Sequence, residues 1–290
     1  MTIQFLVSRR RRLGSINWLV GGILWALLVF VLGCTRNPAT GRSQLLVLSQ
    51  SQEIAIGREA APELIEAYGG KLRNQSVQRY VTKIGDKIAS HVEGQYRDLP
   101  WTFTVLDSEV INAFALPGGQ IFITRGLLER LDSEAALAGV LSHEIGHVTG
   151  QHIDEQISHS AVAGVVVTGV GIAVGNDGDD LASYVPMFIN VGGQMYLLNF
   201  SRSHESEADS LGVRYMVESG YDPKGMLEVL EVLNSASEGG LPPEFLSTHP
   251  HPDTRIETVS ALLDGPYAYA VGSPDYKTGR SAYRKIRKGL

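Results

Sequence analysis

The chain has 290 residues, 43% hydrophobic and 19% charged, which excludes wholesale disorder and leaves room for one large domain or two small ones. Its formal charge of −6 hides an asymmetry: Arg9 to Arg12 are the only charged residues among the first 33, and without them 21 basic residues face 31 acidic ones, which argues against nucleic acid as a partner. Cys34 is the only cysteine, so no intrachain disulfide and no thiolate zinc site is available, and any metal must sit on histidines and carboxylates.

In chain order, the arginine run leads into a nearly unbroken apolar run from Trp18 to Leu32, then Gly33 and Cys34. A basic start, a short apolar core and a small residue before the cut describe a secretory signal over residues 1–33. The run is short for a full membrane span. Cys34 directly after the small residue resembles a bacterial lipobox, in which the cysteine receives lipid and becomes the new N-terminus; Leu32 departs from that pattern, because a smaller residue is usual there. The alternative is an uncleaved signal anchor. Both expectations place the rest of the chain outside the cytoplasm, tied to membrane lipid through its N-terminus.

Residues 34–50 are polar around Pro38 and Gly41 and read as a tether. Ser51 is expected to cap a helix reaching Tyr68, and a second helix is expected over Ser76 to His91. Trp101 to Leu106 alternates as a strand does, Asn112 to Leu116 is a second strand, and Gln120 to Thr124 a third after the turn Pro117-Gly118-Gly119. A long helix follows from Asp132 or Ser133 to Gln151. Further helices are expected over Glu205 to Ser219, Lys224 to Ser235 and Pro252 to Leu263. Residues 51–264 therefore form the main domain, and 265–290 a basic C-terminal tail. Ala161 to Gly175 is small, apolar and too short to span a bilayer, and reads as a buried helical segment; Asn176 to Asp180 reads as a solvated acidic loop.

The chemistry concentrates in His143-Glu144-Ile145-Gly146-His147. Four residues along a helix turn through about 400°, so the two histidines lie about 40° apart on one face and their rings can reach one metal ion. Glu144 stands beside them, placed to accept a proton from an attacking water and pass it to a leaving amine. A catalytic zinc needs a third protein ligand. His152 fails on spacing: Gly150 fits a HExxHxxGxxH pattern, but Ile153 occupies the place of its third histidine, so His152 reads as an ordinary helix-end residue. The better source is Glu205-Ser206-Glu207-Ala208-Asp209, where one carboxylate ligates and another, a turn away, accepts the free ring N–H of a ligating histidine. Spacing alone does not separate Glu205 from Glu207.

The segments Asn112 to Gly119, His143 to His147, Glu205 to Asp209 and Ser247-Thr248-His249-Pro250 occur in that order. Together they resemble the CAAX prenyl protease-type zinc metalloproteases of peptidase family M48, which include HtpX-like and Oma-type enzymes. The likeness covers roughly Ser51 to Leu263 and points to the periplasmic, lipoprotein-like branch. The resemblance implies a mostly helical, gluzincin-like α+β metalloprotease fold with a small sheet beside the active-site helix. It implies one Zn2+ per chain on His143, His147 and Glu205, with Glu144 as general base and Asp209 holding a ligating histidine. It further implies Asn112, Ala113, Phe114 and Ala115 as a strand receiving substrate by strand addition. His249, in a proline-rich loop, is expected to be a regulatory fourth ligand, a transition-state donor, or a structural residue of that loop. The basic tail is expected to dock on the body or face solvent rather than meet lipid. The expected function is endopeptidase cleavage of unfolded or misassembled envelope proteins, with the enzyme lipid-anchored and facing the periplasm. The rival is a membrane-anchored chaperone or assembly factor on the same fold, which would not need the general base that this chain keeps.

Overall fold

The computed structural model describes residues 34–159, 200–238, 245–249 and 253–290. The expectations for 1–33, 161–175 and 176–180 lie outside the described residues. The order is β1 (Cys34–Arg36), β2 (Ser43–Leu45), α1 (Gln50–Ala67), α2 (Gln75–Ala89), a 3-10 turn (Gly94–Asp98), β3 (Thr102–Leu106), β4 (Ala113–Leu116), β5 (Gln120–Thr124), α3 (Arg125–Leu128) and α4 (Glu134–Thr149). A helical stretch over 152–159 follows. Beyond it come α5 (Arg202–Glu218), α6 (Lys224–Glu238), α7 (Phe245–Thr248), α8 (Asp253–Asp264) and α9 (Arg280–Arg287). The fold is α+β and mostly helical. Among the described residues no helix is long and apolar enough to cross a membrane.

The sheet has the order β3-β5-β4, with β3 parallel and β4 antiparallel to β5. Pro117-Gly118-Gly119 joins β4 to β5, and both glycines take positive φ, where a side chain would strain the turn. Alternation along the strands sends side chains to two separate cores. Val105, Ala113, Ala115, Ile121 and Ile123 face α2 and α4. Leu106, Phe114, Leu116 and Phe122 face Ile56, Ala60 and Leu64 of α1. Phe114 and Phe122 are register partners and stack with centroids 4.9 Å apart. A sheet covered on both faces favours apolar residues on both sides of each strand, as β4 and the middle of β5 show, whereas β3 keeps Thr102 and Thr104.

α4 lies in the middle of the molecule, with all 16 of its residues buried. Apolar and small residues all around it suit that position. Ser133 caps it, accepting from the Ala136 N–H at 2.9 Å. α5 crosses it closely: a Cβ on Gly146 would sit 2.8 Å from the Ala208 carbonyl oxygen, so only glycine allows this approach.

Several boundaries differ from expectation. α1 is capped by Ser49, not Ser51, because Ser49 with Gln52 three residues on completes a reciprocal capping box. α5 starts one turn before Glu205, where Ser201 accepts from the His204 N–H at 3.1 Å. Residues 34–45, expected as a tether, include the hairpin β1–β2. The basic tail docks on the body: Tyr283 is buried and donates to the Leu128 carbonyl at 2.7 Å, and Lys277 pairs with Glu134 at the start of α4.

Glu53 of α1 is buried, and burial, with Asp154 nearby, pushes its carboxyl up to about 8. A carboxyl raised in the folded state costs stability as pH climbs from its unfolded value toward the folded one. Glu53→Gln is therefore expected to melt several degrees above wild type at pH 8 and level with it at pH 4. Melting curves offset equally at both values would refute the assignment.

Candidate metal centre

α4 presents His143 and His147 on one face, and the first turn of α5 presents Glu205 to them. Their Nε2 atoms are 3.0 Å apart. Glu205 Oε1 is 3.3 Å from His147 Nε2, and Oε2 is 3.5 Å from His143 Nε2. His249, after α7, adds Nδ1 at 2.8 Å from Glu205 Oε1 and 3.5 Å from His143 Nε2. Ligand atoms at zinc-like bond lengths around one tetrahedral centre lie about 3.3 Å apart. The donor set and its spacing therefore fit a zinc ion: one ligand atom from each of His143, His147, Glu205 and His249 lies within 4.8 Å of all the others, and all four residues are buried.

The supports of these groups are equally specific. Asp209, one turn after Glu205, stands with Oδ1 2.9 Å from His143 Nδ1. A proton held there leaves the Nε2 lone pair free toward the cluster. Arg255 of α8 is buried between the two acids, with Nη2 2.6 Å and Nε 2.8 Å from Asp209, and Nη1 2.8 Å from Glu205 Oε2. That last contact is one of charge, without hydrogen-bond geometry on either atom. Burial opposes ionisation of Glu205, but His249 and Arg255 hold its carboxyl well below the usual range. Burial likewise opposes ionisation of Asp209, and Arg255 overcomes it. Burial keeps His147 neutral, the form a ligand needs. Glu144 is 1% exposed, and burial pushes its carboxyl up. Its Oε1 has no hydrogen-bond partner among the described residues and lies 4.0 Å from His249 Nε2.

The structure places Glu205 in the cluster and Glu207 outside it, bonded to His152 at 2.9 Å and to Arg42. Asn112 lies just before β4, where its Nδ2 donates to the Tyr68 hydroxyl at 3.0 Å. β4, like β3, is an edge strand of the sheet, with Ala113, Phe114 and Ala115 buried. Arg255 had no signal in the sequence beyond a lone basic residue at the start of a helix. His152 is fully buried and touches His147, so it is not an ordinary helix-end residue.

A helix-borne HExxH joined by a carboxylate from a neighbouring helix is the site of a metalloprotease. The chain belongs to peptidase family M48, whose model matches residues 73–263. It is 29% identical over 225 residues to the beta-barrel assembly-enhancing protease of Escherichia coli, a match covering 76% of this chain and 45% of that protein. It is 30% identical over 230 residues to the mitochondrial metalloendopeptidase OMA1 of Schizosaccharomyces pombe, covering 78% of this chain and 65% of that one. For the OMA1 metalloendopeptidase of Danio rerio the identity is 28% over 273 residues, covering 88% and 56%. The chain thus spans about half the length of the curated relatives it matches.

Proposed function

We propose that the chain is a zinc-dependent endopeptidase of the bacterial cell envelope that holds one zinc on His143, His147 and Glu205 and cuts unfolded or misassembled proteins. The observation that carries this reading is the convergence of buried nitrogen and carboxylate donors at 3.0, 3.3 and 3.5 Å, with Glu144 beside them, its Oε1 without a hydrogen-bond partner among the described residues. When bound, zinc supplies Lewis-acid polarisation of the scissile carbonyl and lowers the pKa of the attacking water. Glu144 takes the proton of that water and returns it to the leaving amine; its raised pKa suits a base that must also give the proton back. Asp209 fixes the His143 ring, and Arg255 balances the two buried acids. In this reading the outer edge of β4, from Asn112 to Ala115, receives an extended substrate segment through main-chain hydrogen bonds. The decisive experiment incubates the purified chain with unfolded casein, with and without chelator and with zinc restored. Absence of chelator-sensitive cleavage by zinc-loaded wild type and His249→Ala protein alike would sink the proposal.

His249 governs whether the resting enzyme works. It stacks on Phe245 at 4.0 Å, and the Phe245 N–H donates to the Ile111 carbonyl at 3.3 Å, which pins α7 against the chain just before β4. With zinc held by His143, His147 and Glu205, the His249 ring would compete with the water that Glu144 must activate, so the enzyme would be latent until this turn moves away. His249→Ala is expected to raise the initial rate on unfolded substrate and to increase self-cleavage. A slower variant with full zinc occupancy, by about 10²-fold, would instead mark His249 as a transition-state donor.

The basic, apolar and cysteine pattern of residues 9–34 supports anchoring by lipid on Cys34, on the periplasmic side of a membrane. Mass spectrometry of the membrane-extracted protein is expected to find an acylated N-terminal peptide starting at Cys34. An intact Met1 peptide would favour a signal anchor.

A further inference from the structure

His147 turns Nε2 toward His143 and Glu205, and its Nδ1 points away from the cluster. That nitrogen lies 3.0 Å from Nδ1 of His152, itself fully buried. His152 Nε2 lies 2.9 Å from Glu207 Oε2. Glu207 in turn accepts from Arg42, whose Nε and Nη2 stand 3.0 Å and 2.9 Å from its two oxygens. Only one placement of protons makes each of these contacts a hydrogen bond while leaving the His147 Nε2 lone pair to a metal. His147 donates from Nδ1 to His152 Nδ1, His152 donates from Nε2 to Glu207, and Arg42 donates to Glu207. The arrangement replaces the usual single carboxylate behind a ligating histidine by an imidazole and a carboxylate in series.

Arg42 does not come from the stretch matched by the family, residues 73–263. It follows the turn between β1 and β2, and that hairpin is docked on the C-terminal end of α4. Asn37 Nδ2 donates to the Thr149 carbonyl at 2.8 Å, and Gln44 Nε2 to the Gly150 carbonyl at 2.7 Å. These are carbonyls at the last turn, which the helix itself cannot satisfy. Arg42 also grips Glu155, at 2.8 Å. The hairpin therefore holds both the end of the ligand helix and the carboxylate that orients His152.

We propose that His152 is a positioning residue that locks His147 in its metal-ready tautomer, and that Arg42 of the β1–β2 hairpin holds this relay in place through Glu207. The inference rests on the reading of His143, His147 and Glu205 as zinc ligands. Its test compares full-length wild type, His152→Leu, His152→Gln, Arg42→Ala and the double variant Arg42→Ala/His152→Leu. Zinc affinity is measured by competition with a chromogenic chelator, and the visible spectrum is recorded after cobalt substitution. His152→Leu is expected to lose about 10- to 100-fold in zinc affinity and to shift the cobalt bands. His152→Gln keeps an acceptor for His147 and a donor for Glu207, and is expected to return both readouts toward wild type. Arg42→Ala is expected to weaken zinc binding by a smaller factor, and to add nothing in the His152→Leu background, because the relay is already cut. Wild-type affinity and cobalt spectrum in His152→Leu would overturn the relay, as would a His152→Gln variant no better than His152→Leu. Should His152→Leu fail to fold, Arg42→Ala with unchanged affinity and spectrum overturns it. A wild-type chain that binds no zinc at all overturns the reading of the site itself, a result distinct from any of these.

Discussion

Glu144→Gln is expected to bind zinc as wild type does and to lose about 10²–10⁴-fold in the rate of hydrolysis, the range associated with a missing general base. The amide has nearly the size of the carboxyl, so the packing of α4 is undisturbed, but it cannot take a proton. The buried Oε1 has no hydrogen-bond partner among the described residues, so exchanging the group breaks no described structural bond at that atom. The comparison requires zinc analysis and initial rates on the same preparation. It is best made in the His249→Ala background, where the latency proposed for His249 would not mask the chemistry. Retained cleavage by metal-loaded Glu144→Gln would remove this residue from the mechanism.

The second large effect concerns stability. Arg255→Ala strips a buried cation from Glu205 and Asp209, both themselves fully buried. Breaking a buried pair from one side costs about 3–5 kcal/mol, because the stranded charge has no solvent. Zinc is expected to return part of this, since it replaces Arg255 as the counter-charge of Glu205 and stabilises whatever state binds it. Melting temperatures of Arg255→Ala and wild type, each with chelator and with zinc, test the argument. The gap between the two proteins should be wider in chelator. An equal gap in both conditions would show that Arg255 acts on the fold through Asp209 alone.

Much of this was legible in the sequence because it is local. His143, Glu144 and His147 share a helix face by spacing, and Ser133 announces the start of that helix. The first strand was marked by its alternation, the other two by short apolar stretches on either side of Pro117-Gly118-Gly119. The choice of Glu205 over Glu207 was not legible from spacing. Both lie within the first two turns of α5, and only the crossing of α5 over α4 decides which faces inward; family resemblance pointed to Glu205 before the structure placed it in the cluster. Spacing sets His152 aside as a ligand and does not show its contact with His147; Arg255 and Arg42 were missed for one physical reason. Each matters through a contact with a residue far along the chain, as Arg42 does with Glu207, 165 positions away. The cap at Ser49 was misplaced by two residues because Ser49 and Ser51 both suit the role, and the capping box with Gln52 settles it.

The docking of the tail on the start of α4 bears on the order in which the molecule assembles. Lys277 reaches Glu134 across 143 positions, Tyr283 reaches Leu128 across 155, and Arg287 reaches the Leu131 carbonyl across 156. Contacts of such long sequence separation close only after the entropy of a large loop has been overcome, and they slow folding accordingly. The HExxH helix can form as a local element, but the clamp at its start depends on residues 143 to 156 positions further along the chain. A chain still being synthesised therefore carries the HExxH motif before it carries the residues that clamp the start of its helix, so alignment of the cluster waits on the last stretch to be made.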